Sequence, residues 1–338
     1  MMFEVPWHIA SNSCKKPRNL TSFLVAGTGI AASFTIGCVL GEYSKETIAP
    51  NEPYWAYLLF CGIALSATAL PVLSRVIMDN QKIDESAGGI SLSAAVYTDI
   101  FVWLSLSLAL SIQISESQGV FQAFLKFFAL AVYASVSILI IRPMISRLNT
   151  EHPMNEQAKV TAAIIFCLIS AQVTEYLGFH LSIGAIIAGY VFYDIPSLQK
   201  SWSRSIGKFS NWFLAPIFFA YSTMQISFNN LPEINIWYWI AIFLLAGSSA
   251  KVLGSYLGAR LTKIDAKKSL TIGVLMNVKG LVELVVLNVG LSSGLLSETS
   301  YVVLIVTSIA SIFLANPLIS LVNLQQHEGG KRSGKTQI

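Results

Sequence analysis

The sequence predicts an all-α integral membrane protein of about ten transmembrane helices, containing an inverted-topology repeat and two discontinuous crossing helices. Three observations carry that expectation. Of 338 residues, 54% are hydrophobic and only 12% charged, whereas soluble domains carry roughly 25% charged residues. Apolar runs of spanning length recur along the whole chain. The basic residues change sides in step with those runs. A chain with a mean hydropathy of +0.62 stays soluble only if lipid covers most of it.

The apolar runs fall at 19–41, 55–78, 87–112, 121–147, 158–175, 179–194, 209–228, 236–261, 269–291 and 299–323. A hydrocarbon core of about 30 Å needs about 20 apolar residues per helix. The fifth and sixth runs are short and separated by little more than a turn. Ahead of the first run, residues 1–18 are mixed and end in Lys15, Lys16 and Arg18. They lack the short apolar stretch and small-residue cleavage site of a signal peptide. This gives a cytoplasmic segment (1–18), a transmembrane domain (19–324) and a short basic cytoplasmic tail (325–338).

The distribution of charge tests the count. With the N-terminus inside, every Lys and Arg except Lys45, Lys126, Lys251 and Lys279 falls on the cytoplasmic side. A wrong number of helices scrambles this alternation. Both termini are therefore expected in the cytoplasm, with plasma membrane and organelle left open. Cys14, Cys38, Cys61 and Cys167 show neither a disulfide framework nor metal-ligand spacing. No cofactor and no nucleic-acid partner are expected.

Ionisable residues near the bilayer centre cost about 2.5–3.5 kcal/mol on insertion scales and mark functional sites by default. Asp99 lies mid-way along the third run, beside the small residues Ser93, Ala94 and Ala95, with no cation one turn away. It reads either as one end of a fixed pair or as a group binding cations and protons. Lys251 lies in the eighth run, about 15 Å by helical rise from the basic end at Arg260. That is too far for its ammonium to reach the interface. Its alternative role is a structural lysine bonded to backbone carbonyls. Lys279 and Glu283, in the ninth run, are four apart and share a face on a continuous helix, which allows them to neutralise each other. Glu175 and His180 flank the turn between the fifth and sixth runs and read as interfacial, with Glu175 a secondary candidate.

Two runs carry helix breakers. The second holds Leu65-Ser66-Ala67-Thr68-Ala69-Leu70-Pro71-Val72, where Pro71 removes a backbone donor and Ser66 and Thr68 offer hydroxyls to freed carbonyls. The ninth holds Met276-Asn277-Val278-Lys279-Gly280. Irregular backbone at membrane depth is tolerated where it is buried or lines a cavity. Runs one to three and eight to ten have opposite topology, and each triplet has its interrupted helix in the middle. Paired interrupted helices in an inverted repeat point to a midplane ion site, with half-helix ends supplying partial charges.

Several stretches resemble a known family. Leu65 to Arg75 (LSATALPVLSR), Ser91 to Trp103 (SLSAAVYTDIFVW), His180 to Val191 (HLSIGAIIAGYV), Leu214 to Ser222 (LAPIFFAYS), Lys251 to Leu261 (KVLGSYLGARL) and Met276 to Gly290 (MNVKGLVELVVLNVG) are similar to the monovalent cation:proton antiporters. The branch is the Kef and plant CHX branch of the sodium/proton exchanger superfamily. The resemblance runs in order over nearly the whole chain. It implies that Thr68 belongs to one half of a helix crossing, and Asn277 to Gly280 to the other. It implies that Asp99 binds either Na⁺ or K⁺ or a proton, and that Lys251 pairs with that carboxylate. Many relatives have Arg at the position of Lys279, so charge is kept while bidentate geometry is not. Relatives often have Asp, Asn or Gln where this chain has Thr98. A single carboxylate then implies one proton per cation and electroneutral exchange, unless Lys251 also carries a proton. Relatives also carry helices ahead of the first run here that contribute to a homodimer interface, so the chain reads as lacking them.

The implied activity is exchange of Na⁺ or K⁺ for H⁺ across a lipid bilayer, by movement of one bundle against the other. The competing readings are an incomplete or non-transporting antiporter fragment, and a channel or sodium-coupled symporter of similar fold. An intramembrane hydrolase needs paired aspartates, a Ser/His pair or a zinc motif, and only Asp99 is well placed; the chain is not expected to be an enzyme.

Overall fold

A computed structural model describes residues 2–4, 7, 19–80, 83–115, 119–151, 155–177, 179, 181–214, 216, 217, 220, 224 and 235–333. Every regular element among them is helical. The principal helices are α1 (Asn19–Ile48), α2 (Tyr54–Ser66), α3 (Leu70–Asp79), α4 (Glu85–Ser115), α5 (Gly119–Val136), α6 (Arg142–Glu151), α7 (Glu156–Tyr176), α8 (Leu181–Val191), α9 (Pro196–Trp202), α10 (Asn235–Leu261), α11 (Ala266–Met276), α12 (Leu281–Ser292) and α13 (Glu298–Ser333). A π-helical turn over Ser137–Ile141 joins α5 to α6.

Among the described residues, five helical stretches are long and apolar enough to cross a membrane: Leu20–Ile48, Glu85–Leu110, Leu125–Thr150, Glu156–Tyr176 and Ile236–Leu261. The expected ten is not reached this way, for physical reasons. The second and ninth runs are each divided into two half-length helices. At 1.5 Å per residue α2, α3, α11 and α12 are about 20, 15, 17 and 18 Å long, so none alone crosses a core of about 30 Å. The sixth run supplies only α8, and half of the seventh lies outside the described residues. Helix α13 continues to Ser333, past the end of its apolar run, because helical backbone bonds are internal and need no apolar sequence.

The chain divides into two compact units. The first comprises residues 1–13 and 103–220. Its core gathers Ala163, Ala188, Val191, Phe192, Leu198 and Trp202 with Phe3 and Trp7 of the N-terminal segment. The Phe3 ring stacks on Trp202 at 4.2 Å, and the Trp7 indole N–H donates to the Gly189 carbonyl at 3.0 Å. Arg142 forks onto Asp194 through two bonds of 2.8 and 2.9 Å and lies over the Tyr193 ring. Helices α7 and α8 meet at Gly184, where an added Cβ would collide with the Ser170 carbonyl.

The second unit comprises residues 14–102 and 221–338. Its helices are seamed by small residues, as expected where lipid removes the hydrophobic drive between helices and close van der Waals contact replaces it. Gly254 and Gly258, one turn apart on α10, lie against Thr28 and Leu24 of α1, and the Thr28 hydroxyl donates to the Gly254 carbonyl at 2.7 Å. On another part of α1, Gly37 and Gly41 receive Cys61 of α2. The outer faces are apolar and exposed, including Leu20 and Phe23 of α1 and Leu245, Leu253 and Leu257 of α10, as suits contact with lipid.

Asp84 fixes the start of α4. Its carboxylate accepts from the backbone N–H of Ser86 and Ala87 at 3.0 and 3.1 Å and pairs with Lys268 at the start of α11 at 3.1 Å. Partial burial alone would raise its pKa; the Lys268 ammonium and the two N–H donors outweigh that and hold it below the usual carboxylate value. The group therefore contributes its full stability above the ordinary carboxylate range and loses it as pH falls through its folded value. Asp84→Ala is expected to cost about 1 kcal/mol, the typical worth of an N-cap. In thermal melts of purified protein, the gap from wild type should be full near neutral pH and shrink below about pH 4.

Candidate functional site

The site is built where two helices stop. Helix α2 ends at Ser66, and Ala67 and Ala69 take extended backbone (φ −62°, ψ 148° and φ −87°, ψ 105°) before α3 begins. Pro71 stands in the first turn of α3. There its missing N–H has no intrahelical acceptor to lose, so the proline marks the restart and not the break. Helix α11 ends at Met276, and α12 begins at Leu281 after an irregular stretch, 277–280.

The two breaks bond to each other. The Ala69 N–H donates to the Val278 carbonyl at 2.8 Å, and the Thr68 hydroxyl donates to the Met276 carbonyl at 2.7 Å. Thr68 thus serves the other broken helix and not its own. Ser66 turns back to the Ile63 carbonyl at 3.1 Å. The approach depends on Gly280, whose backbone is extended (φ 170°). A Cβ there would lie 2.7 Å from the Ala69 Cβ and 2.8 Å from Val72 Cγ2.

Two buried lysines cover the end of α2. Lys279 donates to the Ala64 carbonyl and Lys251 to the Ser66 carbonyl. These are carbonyls of the last turn, the negative end of the helix dipole. Lys279 also pairs with Glu283 at 3.2 Å, and the Ser308 hydroxyl of α13 donates to Glu283 Oε1. The mutual neutralisation allowed by the spacing is present, with Lys279 in the break and Glu283 in the first turn of α12.

Asp99 is 1% exposed, and neither carboxylate oxygen has a hydrogen-bond partner among the described residues. Lys251 is near enough to act on it electrostatically, but its ammonium is bonded to Ser66. A direct Asp99–Lys251 pair, implied by the resemblance, is not what this structure contains: an ammonium inside the membrane is drawn to the orphan carbonyl at a helix end. The Thr98 hydroxyl is turned to the Ala94 carbonyl of its own helix at 3.2 Å. Asn277 is buried at the α11 terminus with both amide atoms unpartnered.

Asp99, Thr98, Lys251, Ser66, Thr68, Pro71, Asn277, Lys279, Gly280 and Glu283 all belong to the second unit. Glu175 belongs to the first, exposed on α7 and bonded to Gln172 at 3.2 Å. His180 lies outside the described residues. Ser308 escapes the sequence reading; the one available signal is the recurrence of Thr307, Ser308 and Ser311 at helical spacing within an apolar run.

Residues 2–322 match the family described as sodium/hydrogen exchanger, transmembrane. The chain belongs to the sodium/hydrogen exchanger family. This exchanger-family chain is 27% identical over 301 residues to Cation/H(+) antiporter 15 of Arabidopsis thaliana, an alignment covering 88% of the chain and 36% of that protein. It is 28% identical over 328 residues to K(+)/H(+) antiporter 1 of Saccharomyces cerevisiae, covering 93% and 37%. With the Na(+)/H(+) antiporter NhaS4 of Synechocystis it shares 27% over 304 residues, covering 89% and 72%. The chain therefore spans little more than a third of the plant and yeast relatives. Its fold matches the sodium proton antiporter MjNhaP1 of Methanocaldococcus jannaschii with a TM-score of 0.62 over 94% of this chain and 86% of that one, at 14% identity.

Two variants test the packing of the breaks. Gly280→Ala should cost about 1–3 kcal/mol by overpacking, with part recovered in a double variant with Ala69→Gly; unfolding of the purified protein measures both. Glu283→Gln should cost about 3–5 kcal/mol because it strands the Lys279 charge. Replacing both residues with apolar ones should cost less than that single change.

Proposed function

We propose that the chain forms the ion-exchanging core of a monovalent cation/proton antiporter, moving Na⁺ or K⁺ against H⁺ across a membrane, with Asp99 as the group that holds either one. The observation that carries this reading is the isolation of Asp99. A buried carboxylate with no protein partner is costly as a bare anion. Lys251 acts on it electrostatically but gives it no hydrogen bond, and a proton or an alkali cation taken from outside the protein supplies that direct contact interchangeably. The printed names of the relatives, which speak of Na⁺/H⁺, K⁺/H⁺ or cation/H⁺ exchange, support the same reading.

A single carboxylate suits electroneutral exchange. Thr98 adds no charge, and Lys251 donates to the Ser66 carbonyl; one-for-one exchange requires that Lys251 keep its proton state through the cycle. In this reading α1–α4 and α10–α13 are the two inverted repeats, and both termini face the cytoplasm. Residues 19–324 form the transport domain, flanked by cytoplasmic segments 1–18 and 325–338.

The test is a pH-gradient dequenching assay in proteoliposomes with Na⁺, K⁺ and Li⁺. Wild type should dissipate the gradient on cation addition, at a rate insensitive to an imposed membrane potential, and Asp99→Asn should abolish the response. Unchanged flux in Asp99→Asn sinks the mechanism; strong voltage dependence sinks the one-for-one stoichiometry.

A further inference from the structure

Asn277 is a buried amide with no structural employment. It is 1% exposed, and neither Oδ1 nor Nδ2 has a partner among the described residues. Asparagine is favoured at helix ends because it tolerates left-handed backbone, but Asn277 has φ −85°, which any residue adopts. Nor does its side chain cap the helix. The last-turn carbonyls of Val274 and Leu275 accept the backbone N–H groups of Asn277 and Val278, and Met276 accepts the Thr68 hydroxyl. Leucine fills a similar volume without burying a polar group, so packing does not explain the amide either.

Its surroundings do. Asn277 follows Met276, which packs in one cluster with Ala94 of α4, one helical turn and a residue before Asp99. Thr68, bonded to Met276, is two residues from Ser66, and Ser66 holds Lys251, the cation that acts on Asp99. Around these breaks, among the described residues, Asp99 and Asn277 leave every side-chain polar atom unpartnered, while Glu283 leaves one oxygen so and commits the other to Lys279 and Ser308; Asp99 offers a carboxylate and Asn277 a neutral amide.

We infer that Asn277 Oδ1 is a ligand of the transported alkali cation, completing with the Asp99 carboxylate a site of one charged and one neutral oxygen donor. Hard cations accept both kinds of oxygen. The two differ toward a proton: a carboxylate takes a proton or a cation, whereas an amide oxygen coordinates a cation and is not protonated at any ordinary pH. Asn277 therefore biases the competition at Asp99 toward the cation. It sets apparent cation affinity and the ranking of Li⁺, Na⁺ and K⁺, and it leaves the proton-bound form untouched.

The inference rests on the antiport reading, and two measurements on the full chain separate them. In proteoliposomes, Asn277→Ala should raise the half-saturating cation concentration about tenfold, with turnover at saturation retained and the Li⁺, Na⁺, K⁺ ranking altered. In thermal melts, wild type should be stabilised by these chlorides relative to choline chloride, and Asn277→Ala should lose that increment while melting no lower than wild type in choline. Half-saturation within about twofold of wild type and an unchanged ranking, in an active protein, overturn the inference and leave antiport standing. Equal loss of stability in choline and in alkali chloride also overturns it, since that marks a structural hydrogen bond. A cation increment that Asn277→Ala removes, in a protein without proton exchange, supports the ligand and sinks antiport. Should Asn277→Ala fail to fold, Asn277→Asp, which keeps an oxygen donor, should show a cation increment at least as large as wild type; its disappearance overturns the proposal.

Discussion

Everything in the second unit depends on settling backbone groups that two helices abandon inside the membrane. A helix that stops at mid-depth leaves carbonyls and N–H groups with no water to receive them. Here each break is settled mainly by the other. Thr68 and the Ala69 N–H serve α11 and the residue after its cap, while Lys279 and Lys251 serve the last turn of α2. The charges are thus part of the fold before they are part of any transport step. Two ammonium groups hold the end of α2 in place, and the carboxylate of Glu283 holds one of them. Among the described residues, Asp99 alone of the buried charged groups in this cluster is left with no hydrogen bond, and on that difference rests our proposal of it as the exchanging group.

The close seams around this cluster serve the same end. Lys251 is only three residues from Gly254, whose contact with α1 sets how near α10 comes to its neighbour. Gly280 plays the same part at the break itself. Both residues fix the distances over which the charged groups act.

Much of this was legible in the sequence, and for one reason: charged residues and helix breakers are conspicuous inside apolar runs. Asp99, Lys251, Lys279 and both interruptions stand out for that reason alone, and the Lys279–Glu283 pair follows from spacing. What could not be read was partnership across long separations. Lys251 meets a carbonyl 185 residues away, and a backbone carbonyl leaves no mark on the residue type that carries it. The same blindness hid Ser308, a serine among many. Pro71 was misleading in a specific way, because a proline is equally at home in the first turn of a new helix. The helix count suffered from the breaks themselves, since halves of 10 to 13 residues do not register as spans.

The docking of the N-terminal segment has an optical consequence. Phe3, Trp7 and Trp202 form a compact aromatic group, with the two indoles 6.1 Å apart and nearly perpendicular. Indoles this close share excitation and are shielded from solvent quenchers as long as the segment stays seated. The first unit therefore carries a buried indole pair, and in a variant whose other tryptophans (Trp55, Trp103, Trp212, Trp237 and Trp239) are replaced by phenylalanine its emission colour and polarisation report whether Phe3 and Trp7 stay seated.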